Sequence, residues 1–88
     1  MERMKYDVRV MRHKDDLDEW VEGVEADSPT AAIHAAMRKL KIVGPGTGWR
    51  GVHAVRIKPG RTWHVQPTRP VGRELALGDT YVVRVVEA

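Results

Sequence analysis

Cations surround a single indole in segment 54–65, where the chain has the pattern of a β-hairpin closed by a Pro-Gly turn. With a two-residue turn, Arg56 lies opposite Trp63 and Lys58 opposite Arg61, all on one exposed face. The other face would point to the core and carries Val55, Ile57, Thr62 and His64. Cations can contact phosphates and an indole can stack on a base, so this hairpin predicts a nucleic-acid contact surface. The alternative is ordinary cation–π packing of Arg56 on Trp63.

Acidic and basic residues occupy separate parts of the chain. Residues 15–27 contain seven acids and no Lys or Arg, whereas residues 28–73 contain nine bases and no acid. The bases are Arg38, Lys39, Lys41, Arg50, Arg56, Lys58, Arg61, Arg69 and Arg73. The net charge of +3 hides this separation, which favours a basic face that binds nucleic acid or the acidic surface of a partner protein. The alternative is that the two runs are solvated and attract each other within one molecule.

Two further groups extend the predicted contact surface. Arg38, Lys39 and Lys41 fall at the end of a predicted helix, where positive charge meets the negative end of the helix dipole. Trp49 and Arg50 lie in a glycine-rich segment, in which the indole either folds back on the core or stands exposed as an anchor. The full predicted contact set is Arg38, Lys39, Lys41, Trp49, Arg50, Arg56, Lys58, Arg61 and Trp63.

Residue types that carry catalysis or bind cofactors are scarce. The chain has no Cys, and its one Ser, Ser28, precedes a proline at a predicted helix start. The four histidines lack the spacing of a metal site, and the acids at 15–19 lack the pattern of a calcium loop. The glycine-rich segment 44–51 follows a helix and precedes a strand, the reverse of a phosphate-binding loop. We therefore expect a protein that is not an enzyme and holds no cofactor or metal.

Length and composition bound the class of protein. Eighty-eight residues with 42% hydrophobic content fit one globular domain with one modest core. No apolar run approaches the ~20 residues of a membrane span, and the first residues lack the apolar core of a signal peptide. The absence of Cys fits a reducing compartment, so we expect a soluble cytoplasmic protein. The Arg, Val, Ala and Gly bias is typical of a GC-rich bacterial or phage genome.

The helix predicted over 27–44 is the element that the strands must cover. Asp27 or Ser28 can cap its first turn, and an apolar stripe follows at three- and four-residue steps. That stripe consists of Ala32, Ile33, Ala36, Met37 and Leu40. Gly44 and the following proline are expected to end the helix, and segment 44–51 is expected to be a flexible loop.

Alternating apolar residues predict strands over 4–12, 19–26, 52–58, 61–66 and 80–87. In the second strand Trp20, Val24 and Ala26 are expected to share one face. Segment 67–73 is expected to be irregular and 75–79 a turn, because prolines and glycines interrupt them. The last strand is apolar on both faces apart from Arg84, which favours a central position.

The order β-β-α-β-β-β predicts an α+β fold: a two-layer sandwich of one helix on a mainly antiparallel sheet. The alternative is a small, partly open β-barrel with one helix. Our first functional hypothesis is a non-enzymatic binding module that engages nucleic acid or a nucleoprotein through its basic half. The second is a protein-interaction or assembly module, such as a phage-type homo-oligomer, in which acidic and basic faces dock on each other.

Overall fold

One α-helix covers one face of an antiparallel β-sheet in the computed structural model, which describes residues 3–44, 48–54 and 62–88. The helix α1 is Pro29–Lys39. The strands are β1 (Met4–Arg12), β2 (Leu17–Ala26), β3 (Gly48–Ala54), β4 (Thr62–Val71), β5 (Glu74–Leu77) and β6 (Tyr81–Glu87). The predicted two-layer α+β fold is confirmed, and the sheet is open rather than closed into a barrel.

The sheet runs in the order β2-β1-β6-β4-β3, so β6 lies at its centre and β2 and β3 at its two edges. The prediction that the last strand is central is confirmed, since β6 pairs with β1 on one side and with β4 on the other. β5 pairs only with β4. We call the face covered by α1 the inner face and the opposite one the outer face.

Alternation along the strands builds the core on the inner face. Tyr6, Val8 and Val10 of β1 are buried there, as are Tyr81, Val83 and Val85 of β6. The helix packs against β1, β2 and β6 and contributes the predicted stripe. Its buried members are Ala32, Ile33, Ala36 and Met37, with Leu40 packed partly buried beside them.

A β-bulge in β2 reverses the faces of that strand. Val24 lies opposite Tyr6 and Val21 opposite Val8, so two residues of β2 face the single residue Asp7. Gly23 adopts a φ of +66°, and its N–H donates to Asp7 Oδ1 at 3.0 Å. The expectation that Trp20 shares a face with Val24 is therefore wrong, because the extra residue moves the 47% exposed Trp20 to the outer face.

The helix begins as predicted and ends earlier. Ser28 is the N-cap, and its Oγ accepts from the Ala31 N–H at 3.2 Å. At the other end, the Ile42 N–H donates to the Met37 carbonyl at 2.9 Å and the Lys41 N–H to the Arg38 carbonyl at 3.0 Å. This pair of bonds is a Schellman motif with Lys41 in the left-handed conformation, at a φ of 62°.

β4 continues through a segment that was expected to be irregular. Residues 67–71 remain in the strand, and residues 68–71 pair with β5, where a turn was predicted. Pro67 lacks an N–H, but its carbonyl still accepts from the Gly78 N–H at 2.8 Å, so the backbone remains paired there. The predicted flexible loop is also wrong in its second half, because residues 48–51 belong to β3. Residues 45–47 lie outside the described part of the chain.

Candidate nucleic-acid interface

The three cations at the end of α1 form the first part of the interface. Arg38, Lys39 and Lys41 are all exposed. The Schellman motif turns the chain sharply at Lys41, so the three side chains leave a short stretch of backbone that is fixed by hydrogen bonds. Positive charge here also stabilises the helix terminus, so a purely structural role accounts for part of this cluster.

Trp49 connects α1 to the edge strand β3. Its Nε1–H donates to His34 Nδ1 at 3.1 Å, and its ring packs partly buried against the core. Since His34 Nδ1 accepts this bond, the imidazole carries its proton on Nε2 when neutral. Of the two alternatives predicted for Trp49, the structure has the indole folded back on the core.

Gly51 makes room for the Trp49 ring. A Cβ at position 51 would lie 2.8 Å from Cζ3 of Trp49 and 3.3 Å from the His64 carbonyl oxygen. Glycine is therefore needed at this position in β3 because an indole lies over its backbone. Gly51 is one of the glycines that predicted a loop, but it lies in a strand and leaves room there for an aromatic ring.

Arg50 lies on the outer face, since it follows Trp49 in the strand and pairs with Gln66 of β4. It is exposed and lines a shallow groove of ≈ 210 Å³ with His64, Gln66 and Thr80. The sequence predicted Arg50 as a contact residue but not its neighbours His64, Gln66 and Thr80, because their proximity depends on how β3 and β4 pair. The predicted contact residues are thus divided by the sheet, with the helix-end cations on one side and Arg50 on the other.

The register predicted for the hairpin between β3 and β4 is wrong. His53 lies opposite Trp63, and Ala54 lies opposite Thr62, where a two-residue turn would have placed Arg56 opposite Trp63. Trp63 also lies opposite Val83, which is fully buried, and it packs partly buried against the core. Trp63 therefore belongs to the inner face and not to an exposed ladder. Arg56, Lys58 and Arg61 lie outside the described residues.

The acidic run is partly neutralised by cations that precede it in the chain. Arg9 forms a two-pronged pair with Asp18, at 2.8 and 2.6 Å, and Arg12 binds Asp15 in the same way. These side-chain hydrogen bonds lower the pKa of both carboxyls and raise the pKa of both arginines. Arg3 also lies 3.6 Å from Asp27.

The described members of the basic run have no such partners. Within residues 3–44, 48–54 and 62–88, no Lys or Arg of the run forms an ion pair with an acid. The six described members are all exposed: Arg38, Lys39, Lys41, Arg50, Arg69 and Arg73. The described members of the two runs therefore form no ion pair with each other, while their exposure agrees with the alternative that both runs are solvated.

The described residues include no group of three or more His, Asp or Glu side chains that could hold a metal ion. No helix in those same residues is long and apolar enough to cross a membrane. Comparison of the chain with protein-family models, curated proteins and solved structures finds no match.

Proposed function

We propose that this protein is a small, non-enzymatic binding module that engages nucleic acid or a nucleoprotein through its basic run. One observation carries the proposal: six cations of that run are exposed and form no ion pair in the described part of the chain. Positive charge that forms no internal ion pair is available to phosphates, whose neutralisation supplies most of non-specific nucleic-acid affinity.

A hydrogen bond between α1 and β3 supports a path for a phosphate backbone around this edge of the sheet. His34 binds Trp49 of β3, and Arg38 follows His34 by one helical turn, on the same side of α1. Arg50 leaves the other face of the same edge strand. A flexible single strand that passes over this edge would meet cations on both sides. The preference for a cytoplasmic location follows from this partner class and from the absence of Cys, and stays a prediction.

The test compares two charge-matched triple variants in fluorescence anisotropy with labelled single-stranded DNA, single-stranded RNA and duplex DNA. The first variant changes Arg38, Lys39 and Lys41 to Gln. The control changes Arg3, Lys5 and Lys14 to Gln, which removes the same charge from the β1 side of the molecule. The parent should lose affinity steeply between about 50 and 200 mM salt.

The helix-end variant should bind more weakly, and the slope of log affinity against log salt should fall by roughly two to three, since each lost phosphate contact contributes about 0.7–0.9. The control should keep the parent's slope. If the parent binds none of the three nucleic acids at low salt, the proposal is wrong. If both variants lose affinity equally, binding depends on the overall charge of the protein and not on a defined face.

A further inference from the structure

A two-stranded arm, residues 68–77, extends from the sheet and carries several exposed large hydrophobic side chains. Thr68 pairs with Leu77 and Val71 with Glu74, around a turn in which Gly72 has a φ of +61°. Val71, Leu75 and Leu77 are 53%, 66% and 49% exposed. They are three of the five large hydrophobic residues that are exposed in the described part of the chain. A lone hairpin is marginally stable in water, so such an arm gains from a partner surface.

Strand alternation gives the arm one apolar face and a basic rim. Leu75 lies directly opposite Pro70, on the side of β4 that also carries His64 and therefore on the outer face of the sheet. Arg69 and Arg73 are exposed and form no ion pair among the described residues. The arm thus combines leucines with two cations and one exposed acid, Glu74, and has a net charge of about +1.

A groove of ≈ 360 Å³ lies on the same outer face, between the ends of β1 and β2 and the start of β6. Its apolar lining includes Met11, Leu17 and Val82, and its acidic residues are Asp16 and Asp18. The remaining lining residues are His13 and Arg12, whose charge is paired with Asp15. Asp18 is held by Arg9, whereas the exposed Asp16 forms no ion pair in the described residues. The groove therefore offers an apolar floor with an uncompensated carboxylate, which is the chemical complement of the arm.

Arm and groove lie at the same end of the sheet. Val82 of the groove pairs with both Met11 and His64, and β4 continues from His64 past the start of β6 into the arm. Because the arm and the groove are neighbours on one face, a twofold axis can bring the arm of each copy onto the groove of the other. A twofold axis is the commonest symmetry of soluble oligomers. Each copy then gives its arm to the other's groove.

We propose that two copies of this chain form a reciprocal twofold dimer, in which Leu75 and Leu77 of each arm pack on the apolar floor of the other copy's groove. Arg73 of each arm lies near Asp16 of the other copy. The occupant is a second copy because both complementary surfaces are on this chain and their net charges are opposite. This inference goes beyond nucleic-acid binding and is tested on the protein alone.

Sedimentation equilibrium from micromolar to millimolar protein, without nucleic acid, measures the association. Leu75→Asp should raise the dimer dissociation constant about a hundredfold, because two leucines leave apolar contact in every dimer. Met4→Asp is the matched control: it charges another exposed apolar residue, 43% exposed, at the opposite end of β1 and should change nothing. Thermal melting of each variant establishes that the fold is kept. A parent that stays monomeric throughout this range overturns the proposal.

Charge reversal tests the contact itself. Arg73→Glu and Asp16→Lys each place like charges together, so each variant alone should dimerise more weakly than the parent. Mixed in equal amounts, they should form a heterodimer, because both of its arm–groove contacts then join opposite charges. Dimerisation by either single variant at the parent's strength, or a mixture that forms no heterodimer, would show that the arm and the groove do not meet.

Discussion

At the scale of single residues, aromatic side chains were the hardest to place from the sequence. Trp20, Trp49 and Trp63 all stand next to polar residues or glycine, so their neighbours in sequence favour exposure equally. The structure separates them: Trp20 is exposed beside Arg9, with 5.8 Å from the guanidinium carbon to the ring centre, while the other two pack against the core. The strand register determines which of the three rings is buried, and no single residue encodes that register.

Trp63→Ala tests the stacking hypothesis directly. Since Trp63 lies on the inner face against the core, its truncation should leave a cavity and lower the free energy of unfolding by about 3 kcal/mol. Chemical denaturation of parent and variant measures this loss. Trp20→Ala is the control, and its loss should be smaller because the ring is exposed on the outer face. A variant at 63 that melts like the parent would restore the stacking-platform interpretation.

At the scale of elements, local signals predicted what local forces determine. The Ser28 cap, the helical stripe, the β1 alternation and the central β6 all depend on patterns within a few residues. The bulge at Gly23, the pairing of β5 and the register of β3 with β4 depend on contacts between distant segments. The prediction of the candidate site was the least accurate, because the predicted face of the hairpin depended on the length of its turn and hence on the strand register.

Two positions in the left-handed conformation predict opposite effects on stability for removing and for adding a Cβ. Lys41 has a φ of 62°, which strains a residue with a Cβ, so Lys41→Gly should raise the free energy of unfolding by roughly 0.5–1 kcal/mol. Gly23→Ala introduces that strain at a φ of +66° and should lower the free energy of unfolding by about 1–2 kcal/mol. Thermal melts of both variants check the signs. A loss of stability in Lys41→Gly would contradict the Schellman assignment.

The β1–β2 hairpin should lose stability in acid. Arg9 and Arg12 lower the pKa of Asp18 and Asp15 in the folded state, so these carboxylates stabilise the fold above their unfolded pKa of about 3.9. That contribution is lost as the pH falls through the lower folded pKa. The double variant Asp15→Asn/Asp18→Asn should melt below the parent at neutral pH and approach it in acid. A constant gap in melting temperature across this range would contradict the assignment.

At the scale of the whole molecule, the acidic edge of the sheet lies far from the β3 edge. Glu19, Glu22 and Glu25 are exposed on the edge strand β2, whereas β3 forms the opposite edge. Five strands at their usual spacing separate the edges by about 20 Å. That distance exceeds the Debye length of about 8 Å at 0.15 M salt but not the 30 Å at 0.01 M. The acidic edge can therefore influence nucleic-acid binding at β3 only when salt is low.

Changing Glu19, Glu22 and Glu25 together to Gln should accordingly tighten nucleic-acid binding about fivefold at 0.01 M salt, and hardly at all at 0.15 M. The acids repel phosphate through the long-range field, and their removal gains no new contact. Anisotropy titrations of parent and variant at both salts measure the ratio, and melting curves check that the fold is kept. Because screening removes a distant repulsion and spares a direct contact, an equal gain at both salts would mean that the nucleic acid lies against β2 itself. The interface would then have to be moved from the β3 edge to the opposite side of the sheet.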